Sequence, residues 1–152
     1  MERRVIVDDS RRTEAEKRLY KIRYSKETEA YIREFCGCEQ LTFADYLNHV
    51  MASKGIKTAD VLKNSGVNRN YGYNIINGIR SNPSRDKVIA LCIGARMNLQ
   101  EMQSALDIAG KGRLLYFDER DVRIAAAVNS DIYKVVEINM ILSEHNLRLI
   151  DN

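Results

Sequence analysis

Between Thr42 and Gly110 the chain is punctuated at short intervals by residues that start and stop helices, and this spacing limits the folds open to it. Thr42 stands three residues before Asp45 in the pattern of a capping box, and Gly55 ends the helix that follows. Thr58 can cap a short helix through about Asn64, and Gly66 makes a turn. Asn68 can cap the next helix, which stops at Gly78. Ser84 is positioned to cap a helix running to about Met97. Asn98 and Glu101 form a second capping box, and that helix stops at Gly110. Five short, closely linked helices are therefore expected here. One proline in 152 residues and an apolar fraction of 45% point the same way, to an all-α fold with a packed core.

The flanks read as further helices. Ser10 can cap a basic helix through about Tyr24, and Ser25 a second through about Phe35. Leu19, Ile22, Tyr31, Ile32 and Phe35 need burial, so packing is the expected role of this arm, with DNA phosphate or a partner protein as the other readings. Phe43, Tyr46, Leu47, Val50 and Met51 follow the i, i+3, i+4, i+7, i+8 pattern of one buried stripe. Beyond Gly110, Asp118 with Asp121 opens a helix to about Val128, and Ser130 opens a last one to about Glu144. In that last helix Ile132, Val135, Val136 and Leu142 form one stripe, with Ile138 and Ile141 off it. The extra apolar side calls for cover, from the N-terminal helices or from a second subunit. The expected organisation is an N-terminal helical arm (1–40), a helix-turn-helix domain (41–110) and a C-terminal extension (111–152) that can serve dimerisation.

Ser65-Gly66-Val67 links two short helices, which must then cross steeply. Gly66 supplies the positive φ that the turn needs. Val61, Val67 and Ile75 are expected to point into the angle between the helices. The outer face of the second helix then carries Asn68, Arg69, Asn70, Tyr73, Asn74 and Asn77, all hydrogen-bonding and none acidic. Arginine can bind guanine O6 and N7, and asparagine adenine N6 and N7, in a major groove about 12 Å wide. A solvated face is the alternative.

The order and spacing of Gly55, Ser65-Gly66-Val67, Asn77-Gly78, Arg80 and Asn82-Pro83-Ser84 resemble the lambda-repressor-like Cro/C1 (XRE) helix-turn-helix family over about residues 41–110. The resemblance implies a five-helix DNA-binding domain. It implies that Arg69, Asn70, Tyr73 and Asn74 face bases and that Asn77 holds the DNA backbone. Thr58 stands where the family usually has a phosphate-contacting glutamine, and its hydroxyl can still donate to a phosphate oxygen. Arg80 and Lys57 are further phosphate candidates, each equally readable as a solvated charge near a helix end. Two positions depart as a pair. Gly72 stands where the family has Ile or Val, and Leu62 where it has Ala. The exchange approximately conserves volume, which cores tolerate best, and Tyr71 could lean into the same space.

Charge is uneven: residues 41–80 hold five Lys/Arg against two Asp/Glu, and residues 1–26 nine against five. These positive stretches suit a phosphate partner, although surface charge also serves solubility alone. No apolar run reaches the 18 residues of a membrane span. Val5–Val7 is too short for a signal peptide. Cys36, Cys38 and Cys92 are then expected to be reduced thiols in a cytoplasm. Cys36-Gly37-Cys38 lacks the two or more intervening residues of a zinc knuckle, and with only His49 and His145 no triad can be argued. The acidic pair Asp8-Asp9 is more simply caps or solvated charge. No metal, cofactor or catalytic residue is expected, and the chain is not read as an enzyme.

The leading expectation is a cytoplasmic, homodimeric regulator that binds double-stranded DNA. The alternative is the same fold used for protein–protein interaction, as an adaptor or antitoxin. The paired departure gives a stability test: Gly72→Ile alone should overpack and destabilise by about 1–3 kcal/mol, and adding Leu62→Ala should restore stability in chemical denaturation. A double variant no better than the single would refute the volume exchange.

Overall fold

A computed structural model describes residues 6–7, 9–80 and 82–152. The start of the expected basic arm (1–5), Asp8 of the acidic pair and Ser81 lie outside the described residues. The fold is all-α, with short helices in two compact units, Met1–Leu41 and Thr42–Asn152.

The first unit is a helical hairpin, α1 (Asp9–Leu19) and α2 (Lys26–Phe35). Strands β1 (Ile6–Val7) and β2 (Glu39–Gln40), of two residues each, pair in parallel beside it. Ser10 lies inside α1 and does not cap it, and α1 stops well before Tyr24. Residues 20–24 form the connection instead, with Lys21 N closing the end of α1 on Arg18 O at 3.1 Å, and Ser25 caps α2 through a box with Thr28. Expected burial is only partly met: Phe35 is buried, Ile22 and Tyr31 are half-buried, and Leu19 and Ile32 are exposed. Cations take the place of aliphatic contacts. The Arg11 and Arg18 guanidiniums lie 4.9 and 5.1 Å from the Phe35 ring centre, and the Tyr31 hydroxyl donates to Ala15 O at 2.9 Å. Arg18 also pairs with Glu34 at 2.9 Å.

The second unit comprises α3 (Phe43–Lys54), α4 (Thr58–Ser65), α5 (Arg69–Ile76), α6 (Arg85–Gly94), α7 (Leu99–Ala109), α8 (Glu119–Asn129) and α9 (Val135–Glu144). Thr42 and Asp45 form the expected capping box, as do Asn98 and Glu101, and Ser84 caps α6. The stripe from Phe43 to Met51 is buried. Thr58 does not cap α4. Lys57 holds the cap position without a side-chain bond, and Thr58 is the first helical residue.

Helix α6 is the centre of the unit. Val88 through Ala95 are fully buried, so the helix is apolar all round, as a helix surrounded by others must be. It ends at Gly94 rather than near Met97, because Arg96 adopts φ 58° and leaves the helical region. Its most extensive partner is α4. A Cβ at Gly94 would overlap Val61 O and lie 3.1 Å from Ser65 N, so the α4 backbone sits where a side chain would be.

The C-terminal helices differ from expectation in their boundary. Ser130 ends α8 and does not open the next helix. Asp131 at φ 60° breaks the helical path, and α9 begins at Val135. Its buried stripe is Val135, Ile138 and Leu142, while Val136 is 65% exposed. Residues 148–152 return across the unit. Buried Asp86 accepts from Arg120 Nη2 at 3.0 Å, Arg148 Nη1 at 3.1 Å and Asp151 N at 3.0 Å. Arg120 Nε also donates to Arg148 O at 2.7 Å, and Asn152 Nδ2 to Ser65 O at 2.9 Å.

Gly94→Ala should force α4 and α6 apart, because backbone atoms cannot rotate away as a side-chain tip can. A loss of at least roughly 1–3 kcal/mol is expected in urea denaturation. Unchanged stability would show that the helices can separate without cost.

Candidate nucleic-acid interface

The crossing of α4 and α5 is set by a compact turn. Gly66 sits at φ 69°, in the left-handed region. Buried Ser65 supports it, its Oγ donating to Leu62 O at 3.0 Å and accepting from Val67 N at 3.2 Å. Asn68 then caps α5, its Oδ1 accepting from Tyr71 N at 3.2 Å. Val61, Val67 and Ile75 are buried in the angle between the helices. A Cβ at Gly72 would overlap Leu62 Cδ2 and lie 3.6 Å from Val67 Cγ1. The Leu62 side chain thus occupies the space in front of Gly72, which lets the two helices remain packed.

With Gly72, Ile75 and Ile76 turned inward, α5 presents the rest to solvent. Asn68, Arg69, Asn70, Asn77 and Arg80 are exposed, and Tyr73 and Asn74 are half-buried. Thr58 is also half-buried, at the start of α4. The Arg69 guanidinium lies 5.6 Å from the Tyr73 ring centre. No acidic residue lies in the first turn of α5, so nothing opposes the positive end of its dipole there.

Two residues important to this geometry, Asn48 and Lys87, escaped the sequence reading, and a third, Tyr71, lies elsewhere than expected. Asn48 on α3 donates from Nδ2 to Ile76 O at 2.7 Å and to Ala44 O at 2.8 Å, tying the end of α5 to α3. Tyr71 does not lean into the core. It lies half-buried beneath two cations, with Arg80 at 4.8 Å and Lys87 at 5.3 Å from its ring centre. Lys87, on α6, thereby joins Arg80 beside α5. No local pattern announces a contact across 28 residues, and an aromatic on a helix gives no sign of which cations will cover it.

Other chemistry is sparse. Among the described residues no cluster of three His, Cys, Asp or Glu could hold a metal. His49 and Cys36 are exposed, Cys38 is half-buried, and burial pushes the Cys92 thiol well above its ordinary pKa, with Glu101 adding to the shift. No helix of the described residues is long and apolar enough to cross a membrane. Compared with family models, with curated proteins and with solved structures, the chain matches none.

Asn48→Ala leaves Ile76 O without its side-chain donor at the end of α5. The variant should lose about 1 kcal/mol, read as a lower thermal midpoint by circular dichroism. An unchanged midpoint would mean that water replaces the bond at no cost.

Proposed function

We propose that the protein is a sequence-specific DNA-binding transcriptional regulator of lambda-repressor-like type, with α5 as the recognition helix in the major groove. The observation that carries this reading is the outer face of α5: amide and guanidinium groups free of acid, on a helix whose other side is locked by Leu62, Ile75 and Asn48. Arg69, Asn70, Tyr73 and Asn74 are assigned to base edges, the two half-buried ones reaching only their tips into the groove. Asn77, Arg80, Thr58 and Lys57 are assigned to phosphates, as is Lys87, which shares the Tyr71 ring with Arg80. Asn68 serves first as the cap and can offer its amide nitrogen to the backbone. No catalytic step belongs to this reading.

A homodimer fits it. Val136 and Met140 lie one turn apart on α9 and are 65% and 61% exposed, a surface that a second copy could cover. Two recognition helices then meet half-sites about 34–36 Å apart. A second reading, as a protein-interaction module of adaptor or antitoxin type, is favoured by the exposed Leu19, Tyr20 and Tyr24 of the first unit.

Binding of random duplex DNA should weaken steeply with salt. Arg69→Ala with Asn74→Ala should abolish preference for sites selected from a random pool while leaving that nonspecific binding. Arg80→Ala should instead weaken binding to all sequences alike and reduce the salt slope by about one. A folded sample that binds no duplex at low salt would remove the DNA reading and favour the second.

A further inference from the structure

We infer that the second unit carries a separate binding site for a phosphate group, in the cavity between the start of α6, the α7–α8 connector and the returning segment near Arg148. The cavity has a volume of about 320 Å³. Among the described residues, five cations line it: Arg85, Lys111, Arg113, Arg120 and Arg148. Two carboxylates, Asp118 and Asp121, line it as well. None of these residues belongs to the surface assigned to DNA, and the inference does not rest on that assignment.

The balance of partners decides what the cavity can take. Asp121 is fully engaged, since its two oxygens accept from Arg85 and one also from Leu115 N at 2.9 Å. Arg113 forms a two-pronged pair with Asp107 at 2.8 Å. Asp118 accepts from Asp121 N at 2.9 Å as the cap of α8. Arg120 and Arg148, by contrast, share a single oxygen of Asp86. The side chain of Arg120 is only 9% exposed. Its Nε and Nη2 are bonded, but its Nη1 makes no hydrogen bond among the described residues. Lys111 has a neutral partner, Asn82 Oδ1, at 2.6 Å. A buried guanidinium with an unused nitrogen, a second guanidinium beside it and an ammonium without a carboxylate form a donor set suited to a compact oxyanion. The Arg120 side chain as a whole is largely buried, which strengthens a charge-assisted bond to an anionic acceptor.

The rim indicates what the phosphate belongs to. Leu115 and Asp118 line the cavity, and the two residues between them, Tyr116 and Phe117, are 91% and 71% exposed. Their rings meet edge to face with centres 5.2 Å apart. An exposed aromatic pair next to a cationic cavity is a stacking platform for a base. The ligand class is therefore a nucleotide phosphate, free or within a strand.

The full chain should be titrated with inorganic phosphate, adenosine monophosphate and a twelve-base-pair duplex, following thermal midpoint and calorimetric heat at low salt. Inorganic phosphate and the nucleotide should each raise the midpoint, the nucleotide at lower concentration. Lys111→Ala with Arg148→Ala should weaken both at least tenfold. Asp86 keeps its bonds from Arg120 and Asp151 in that variant, and its ligand-free midpoint should confirm that it folds. Tyr116→Ala should weaken the nucleotide alone. A duplex response that the double variant loses together with the other two would assign the cavity to a strand's phosphate as well as a free one. No response in any arm, or a response that the double variant retains, would overturn the inference.

Discussion

The second unit depends on how closely α4 can approach α6. Gly94 removes the one side chain that would hold them apart, and the α4 backbone at Val61 and Ser65 fills its place. The position of α4 then fixes the turn at Gly66, and the turn fixes α5. Leu62 and Gly72 repeat the device between α4 and α5, with a leucine tip in place of a backbone. Helices of eight residues, as α4 and α5 are, are too short to be stable alone. α4 persists because α6, buried on every side, gives it a surface to pack on, and α5 packs in turn on α3 and α4.

A second constraint is polar. Asp86 is buried at the start of α6 and would be costly there without partners. Arg120, Arg148 and the Asp151 amide supply them, so one carboxylate gathers α8 and residues 148–152 onto α6. The same segment reaches the turn below α5 through Asn152 and Ser65. The network also leaves Arg120 with an unused nitrogen, so one arrangement both anchors the segment and equips the cavity beside it.

Rigid presentation is the common theme of the two candidate surfaces. The α5 face is held from behind by Asn48 and from the side by Tyr71, which carries Arg80 and Lys87. Groups held this way lose less freedom on meeting a ligand. The first unit is built differently, with arginines stacked on Phe35 and Tyr31 in place of an aliphatic core.

Local signals in the chain set where most helices begin and many end. Caps at Ser25, Thr42, Asn68, Ser84, Asn98 and Asp118, and stops at Gly55, Gly66 and Gly110, are satisfied by atoms within a few residues, so local chemistry suffices. The sequence also sets which face of α5 is polar, because the helical repeat separates Ile75 from Arg69 and Asn70. Tertiary structure decided the rest. α6 and α8 end two residues before Arg96 and Asp131, side-chain residues held at positive φ, which no local preference predicts. The roles of Gly94, Asn48 and Asp86 likewise arise from neighbours distant in the chain, up to 65 residues away for Asp86. A glycine needed for closeness and a carboxylate needed as a hub look, in sequence, like any other. Only the packing of whole helices brings in the atoms that give them meaning.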